Sequence, residues 1–94
     1  MSFPTSRQVL AYFKNICVVC GHPACVVHEI EPRSRGNNAL RFENRIALCG
    51  DCHEYAHAQG ISKKTIENMK FVRENRIKMV YGENPPPIDG VSDA

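Results

Sequence analysis

CGDCHEYAH, residues 49–57, brings two cysteines and two histidines together in one short segment. Cys49 and Cys52 have the C-x2-C spacing, and Cys17 and Cys20 have the same spacing earlier in the chain. Thiolates are soft anionic ligands, and two such pairs can converge on one tetrahedral zinc ion and fill all four of its positions. The four cysteines therefore predict a structural zinc site, with disulfides or unrelated buried thiols as the alternatives.

The same segment predicts a second metal site. His53 and His57 stand four residues apart on a predicted helix, so their side chains share one face. Cys52 lies about 100° round that helix from His53, so the cysteine and the histidines can serve different metals. His28, on a predicted strand, is a third candidate ligand. Three protein ligands with positions left open for water and phosphate are typical of a catalytic metal, although a histidine taken singly is more often an ordinary surface or core residue.

Cys25 is the fifth cysteine, and its place in a predicted strand favours a small buried apolar residue. His22 and Cys25 are substitute ligands for the zinc if Cys17 or Cys20 is not used.

Capping residues and apolar periodicity predict an α+β fold, with two short strands between helices. Thr5 or Ser6 caps a first helix over roughly 7–15, and Gly60 and Gly82 end the later helices. The predicted elements are a helix over 7–15, a strand over 24–30, a loop over 32–38, a strand over 45–48, a helix over 51–59 and a helix from Ser62 to about Tyr81. The last helix has an apolar stripe in which Arg73 contributes only its stem, with Ile66, Met69, Ile77 and Val80.

Size and composition indicate one small domain over residues 1–84, followed by a proline-led flexible tail over 85–94. A chain of 94 residues buries a limited core and often needs a metal or a partner. We expect no signal peptide and no membrane span, because no apolar run reaches about 18 residues. Reduced thiols in the cytoplasm fit this composition.

The charge is unevenly distributed along the chain. The formal net charge is +2, but residues 61–81 contain six basic and two acidic side chains, and residues 82–94 contain three acidic and no basic ones. A basic segment suits a polyanion such as nucleic acid, although a solvated helix face has the same composition.

The spacing of these residues resembles the HNH endonuclease family over residues 17–57. The shared pattern is Cys17-x2-Cys20, then HEIEPRSRG over 28–36, then ENRIALC over 43–49, then Cys52-His53-x3-His57. The resemblance implies a ββα-metal fold, in which a hairpin packed on a helix holds one divalent cation. It is strongest to the short stand-alone members encoded by phages and prophages.

The resemblance assigns roles to individual residues. His28, His53 and His57 fall on the metal ligands, and Asn44 falls on the asparagine that braces the neighbouring loop through backbone hydrogen bonds. Pro32 matches the usual proline. Glu29 occupies the position of the general base, where the family generally has histidine; a free glutamate has a pKa of about 4.3 against about 6.5 for histidine, so it is the weaker base. A carboxylate there could instead bind a hard cation.

The implied activity is hydrolysis of DNA phosphodiester bonds with a catalytic Mg2+, Mn2+, Ni2+ or Zn2+ ion, beside a structural Zn2+. Four arginines flank the predicted hairpin and are expected to hold the DNA backbone: Arg33, Arg35, Arg41 and Arg45. By family analogy the protein acts in the cytoplasm of a bacterial host, beside phage genome-packaging proteins. The alternatives are a zinc-stabilised DNA-binding module whose nuclease site is degenerate at Glu29, and a zinc-ribbon adaptor between proteins.

Overall fold

The computed structural model describes residues 3–31, 37–60 and 62–88, and it shows an antiparallel two-stranded hairpin with helices before and after it. In chain order the elements are α1 (Ser6–Tyr12), β1 (Val26–Glu29), two 3-10 turns (Asn37–Leu40 and Phe42–Asn44), β2 (Arg45–Leu48), α2 (Gly50–Gln59) and α3 (Lys63–Tyr81). The predicted α+β order is confirmed. β1 is shorter than the predicted strand over 24–30.

The hairpin fixes which residues of the two strands face each other. His28 pairs with Ile46, Glu29 pairs with Arg45, and the register continues to Val26 opposite Leu48. All four residues of β2 are buried. Ile46 and Leu48 lie beside residues of α2 and α3, and Arg45 donates to Pro4 and Ser6 near the amino terminus. This burial explains why polar and apolar residues do not alternate along β2 in the sequence.

The helix ends follow the capping residues that the sequence offers. Thr5 and Gln8 form a reciprocal capping box at the start of α1. The Ser62 hydroxyl accepts from the Thr65 N–H at the start of α3. Gly60 ends α2 with a φ of 75°, a conformation that glycine adopts without steric cost.

The first helix is shorter than predicted. It ends at Tyr12, whereas the sequence pattern suggested about residue 15. Lys14 and Asn15 have φ angles of 59° and 57°, in the left-handed region, so they turn the chain away from the helix axis. The Ala24 N–H then donates to the Asn15 carbonyl and holds this turn against the segment that leads into β1.

The core lies between α1, the hairpin and α3. Tyr12 forms an edge-to-face contact with Phe42, with ring centroids 4.7 Å apart, and the Tyr81 hydroxyl donates to the Tyr12 carbonyl. The side chains that are fully buried and largest are Val9, Tyr12, Phe13, Cys17, Ile46 and Leu48.

Two arginines are part of this core, which corrects two predictions. Arg73 was expected to bury only its stem, but the whole side chain is 4% exposed and its guanidinium donates to the carbonyls of Phe42 and Arg45. Arg45 was expected to contact DNA, but it is 5% exposed and donates to the Pro4 and Leu40 carbonyls and to the Ser6 hydroxyl. Each guanidinium therefore has hydrogen-bond acceptors within the protein, as a buried charged group requires.

The segment after α3 contacts the body beyond residue 84. The Tyr12 hydroxyl donates to the Pro86 carbonyl at 2.7 Å, and Ile88 packs against the core. The remaining residues of the predicted flexible tail, 89–94, lie outside the described residues.

Within the described ranges, none of the helices combines the length and the apolar character that crossing a bilayer requires.

The buried position of Arg45 predicts a stability effect. Arg45→Ala leaves the Pro4 and Leu40 carbonyls and the Ser6 hydroxyl without their donor, so the free energy of unfolding should fall by about 2–3 kcal/mol. Urea denaturation measures this. Arg7→Ala, an exposed arginine on α1, should change stability by less than about 0.5 kcal/mol. An unchanged unfolding midpoint for Arg45→Ala, with weaker DNA binding, would restore Arg45 as a DNA contact.

Candidate metal centres

Four cysteine side chains come together at one end of the hairpin. The Sγ atoms of Cys17, Cys20, Cys49 and Cys52 all lie within 4.8 Å of one another, and those of Cys20 and Cys49 are 3.6 Å apart. Four sulfurs at about 2.3 Å from a tetrahedral zinc ion would stand about 3.8 Å apart. The arrangement is therefore consistent with a closed four-sulfur zinc site.

Local backbone structure positions these thiols. Cys17 and Cys20 lie on a tight turn in which the Gly21 N–H donates to the Cys17 carbonyl, and Gly21 has a φ of 80°. Cys49 is the N-cap of α2, and its Sγ accepts from the Cys52 N–H at 3.4 Å. The hairpin joins the two pairs, because the Val18 N–H donates to the Ala47 carbonyl.

The pKa values of Cys17 and Cys52 are shifted in opposite directions. Burial raises the pKa of Cys17, but hydrogen bonds from the N–H groups of Cys20, Cys49 and Val19 outweigh burial and lower this pKa to about 6. Burial and the neighbouring thiols raise the pKa of Cys52. The cluster therefore favours the thiolate form of Cys17 and opposes that of Cys52. A nearby cation would stabilise all of the thiolates together, and a bound metal ion supplies that charge.

Cys25 and His22 are not part of the four-cysteine group that the described residues form. Cys25 was expected to be buried in a strand, but its side chain is exposed and it lies just before β1.

Three histidines form a second cluster on the other side of α2. The ligand nitrogens of His28, His53 and His57 lie within 4.8 Å of one another, and the Nε2 atoms of His53 and His57 are 3.0 Å apart. Two nitrogens bound to one ion at about 2.1 Å would stand about 3.0–3.4 Å apart. The histidine spacing therefore matches that of ligands converging on one metal ion.

The helix and the strand each contribute to this cluster. His53 and His57 project from the same face of α2, and His28 reaches them from β1, with ring centroids 5.4 and 5.6 Å away. Burial lowers the pKa of His28, and the neighbouring His53 and His57 lower it further. The lowered pKa favours the neutral form of His28, which is the form in which imidazole binds a metal.

A groove of about 400 Å3 opens beside the histidines. Its walls are the end of β1, one face of α2 and the first turns of α3, where Thr65, Ile66 and Met69 line it. An ion pair between Lys70 and Glu31, 3.5 Å long, ties α3 to the chain just after β1. An open groove leaves room for a substrate beside the three ligands.

Asn44 fixes the segment that follows β1. Its side-chain nitrogen donates to the carbonyls of Glu31 and Ala39, at 2.9 and 2.8 Å, and its side-chain oxygen accepts from the Glu31 N–H at 2.8 Å. The Asn44 carbonyl also accepts from the Ile30 N–H. These are backbone hydrogen bonds of the kind that the resemblance implied for this residue.

Glu29 is the last residue of β1 and lines the same groove as the histidines. Among the described residues, the group of mutually close ligand atoms contains the three histidines and does not contain Glu29. This favours a role for its carboxylate beside the metal position over a role as fourth ligand.

The arginines predicted to bind DNA have different environments. Arg33 and Arg35 lie outside the described residues. Arg41 is exposed and forms an ion pair with Glu43 at 3.6 Å. Arg45 is buried, as described above. Arg73, which the sequence assigned to packing, holds backbone near Asn44 through its guanidinium; a charged residue inside an apolar helical stripe was the only signal for this.

A two-stranded hairpin packed on a helix, with three converging histidines, defines a ββα-metal class of structure. A model of the HNH endonuclease family matches residues 17–59 of the chain. Residues 17–59 therefore belong to the HNH endonuclease family, as the sequence pattern indicated.

Two curated proteins resemble the chain. A type IV methyl-directed restriction enzyme, EcoKMcrA of Escherichia coli (strain K12), is 34% identical over 80 residues, 74% of this chain and 28% of the enzyme. A mitochondrial DNA mismatch repair protein mutS homolog of Sarcophyton glaucum is 33% identical over 78 residues, 73% of this chain and 8% of that protein. The chain thus spans less than a third of either relative. No solved structure matches the chain.

Proposed function

We propose that the chain is a metal-dependent DNA endonuclease that hydrolyses phosphodiester bonds at the three-histidine cluster. The observation that carries the proposal is the convergence of three imidazole groups beside an open groove, next to a strand end that Asn44 holds in place. The HNH family match and the restriction-enzyme relative support DNA as the substrate.

The histidines fit a divalent cation by number and by spacing. His28, His53 and His57 would hold it, and three ligands leave positions open for a phosphate oxygen and water. Such a cation, when bound, offsets the negative charge that develops on the phosphate and on the leaving oxygen. Imidazole donors favour Zn2+, Ni2+ and related transition ions over Mg2+, whose usual ligands are carboxylates and water.

The remaining chemistry falls to residues of the groove. Glu29, at the strand end, accepts the proton of the attacking water in this proposal. Asn44 keeps the backbone after Glu29 fixed, so the carboxylate does not need to reorganise during the reaction. Arg41, which is exposed beside the hairpin, contacts the DNA backbone without reading its sequence.

The four-cysteine cluster has a structural role in the same proposal. Its sulfurs fill all four positions of a zinc ion, so none is open for substrate. Zinc there joins the turn before β1 to the start of α2 and stabilises a domain with a small core.

The family analogy also suggests the biological source and the location of the protein. The resemblance to short stand-alone members supports a phage or prophage nuclease that acts in the bacterial cytoplasm beside genome-packaging proteins.

The first prediction concerns zinc. Elemental analysis of purified protein after gel filtration should show about one tightly held zinc per chain. Cys49→Ser should lose this zinc and cooperative unfolding, because a three-sulfur site binds less tightly. Cys25→Ser is the matched control and should keep both. Folded protein without zinc, or with a Cys17–Cys20 disulfide, would contradict the assignment.

The second prediction concerns the histidine cluster. His57→Ala should lower plasmid nicking in Ni2+, Mn2+ or Mg2+ by more than the about 10–100-fold that loss of an outer hydrogen-bond partner costs. The structural zinc and the circular dichroism spectrum should be unchanged. His22→Ala, an exposed histidine outside the cluster, should cut at the wild-type rate.

Two outcomes oppose the nuclease assignment. His57→Ala that cuts like the wild type would exclude this metal site. Wild-type protein that shifts DNA in EDTA but cuts under no condition would favour the DNA-binding module with a degenerate site at Glu29.

The third prediction separates two roles of Glu29. Glu29→Gln keeps the shape and removes the basic carboxylate, so the cleavage rate should fall about 10²–10⁴-fold with little change in DNA affinity. Glu29→His restores the usual family residue and should retain activity, most visibly above about pH 7, where imidazole is neutral. Glu67→Gln on α3 is the control for loss of a carboxylate. Equal rates for Glu29→Gln and the wild type would leave an ordered water or another group as the base.

A further inference from the structure

We propose that Arg73 of α3 is a positioning residue for the nuclease site, acting through Asn44 on the strand end that bears Glu29. The inference rests on the proposed function and adds a part of the site that lies outside residues 17–59, the segment that the family match covers.

The guanidinium of Arg73 donates hydrogen bonds to the backbone on both sides of Asn44. Its Nε donates to the Arg45 carbonyl at 3.2 Å, and its Nη2 donates to the Phe42 carbonyl at 3.1 Å. Its third donor, Nη1, meets Glu74 at 3.0 Å. One rigid planar group therefore fixes the residue immediately after Asn44 and the residue two positions before it.

Packing holds the guanidinium itself in place. Arg73 is 4% exposed, and its central carbon lies 4.5 Å from the centre of the Phe42 ring and 5.8 Å from that of Phe13. A buried cation stacked on aromatic rings keeps one orientation, and its partners here are backbone carbonyls of the turn that carries Asn44.

Asn44 connects the backbone that Arg73 holds to the strand end that bears Glu29. Its side chain forms three hydrogen bonds with Glu31 and Ala39, and its carbonyl accepts one from the Ile30 N–H. Ile30 and Glu31 directly follow Glu29, so a rotation of the Asn44 turn would move the strand end. Misplacement of a reacting group by about 1 Å can cost about 100-fold in rate.

Arg76 offers a matched control on the same helix. Its guanidinium also donates to a backbone carbonyl, that of Val18 at 3.3 and 3.4 Å, but this carbonyl belongs to the turn that bears Cys17 and Cys20. Replacing either arginine by lysine keeps the charge and removes the fork of donors.

Single-turnover and steady-state cleavage assays test the inference. Arg73→Lys should lower kcat by about 10–100-fold, corrected for the folded fraction, with KM unchanged within about twofold. Arg76→Lys should keep the wild-type kcat. Adding Arg73→Lys to Asn44→Ala should cause no further loss of rate, because Arg73 acts through Asn44. Additive losses in the double variant, or a wild-type kcat for Arg73→Lys, would overturn the inference.

Hydrogen exchange provides a readout that does not need cleavage. In the wild type both side-chain N–H groups of Asn44 are hydrogen-bonded, so they should exchange slowly with solvent. In Arg73→Lys they should exchange at least about tenfold faster, while the Val18 amide, bonded to the Ala47 carbonyl, stays protected. Equal acceleration at both places would show general destabilisation and overturn the positioning role.

A second, milder variant tests the inference if Arg73→Lys does not fold. Phe42→Leu removes the ring under the guanidinium and keeps the backbone carbonyl, and it should raise Asn44 exchange and lower kcat in the same direction; no change in Asn44 exchange would overturn the inference. Wild-type protein that does not cleave DNA would refute the proposed function alone, and the exchange experiment would then decide the role of Arg73.

Discussion

The pairing of β1 with β2 is the constraint on which both candidate metal centres depend. Side chains alternate between the faces of a strand, so a shift of the register by one residue would turn His28 away from α2. The same pairing brings the Cys17 turn against Cys49, because the hydrogen-bonded contact continues from the strands to Val18. Four residues per strand are too few to hold this register alone. The groups that pin it are those at its two ends: the cysteine cluster at one end and Asn44 at the other.

The helix α2 connects the two centres through adjacent residues. Cys52 points to the other cysteines and the next residue, His53, points to the other histidines, since consecutive helical residues differ in direction by about 100°. A metal held by the cysteines would therefore fix the helix from which His53 and His57 project. A helix fixed in this way gives the two histidines a rigid base beside the open groove.

Two buried guanidiniums donate hydrogen bonds to backbone carbonyls of neighbouring segments. Arg45 holds the carbonyls of Pro4 and Leu40, and Arg73 holds those of Phe42 and of Arg45 itself. Arginine supplies several donors in a fixed plane, so one side chain can bond carbonyls from more than one residue at once. Some of the basic side chains of this protein are thus buried in its core. Positive charge alone does not show which arginines could form a DNA-binding surface.

The sequence by itself determined the order of the helices and strands and which cysteines and histidines lie close together. Spacing alone paired the cysteines and put His53 and His57 on one helical face, since these relations depend on local geometry, and caps such as Ser62 and Gly60 set the helix ends. Tertiary structure decided what depends on partners distant along the chain. It buried Arg45 and Arg73, left Cys25 exposed, ended α1 at Tyr12 and brought Pro86 and Ile88 onto the body. A side chain's burial and its hydrogen-bond partners follow from which segments pack around it, and local sequence patterns carry little of that information.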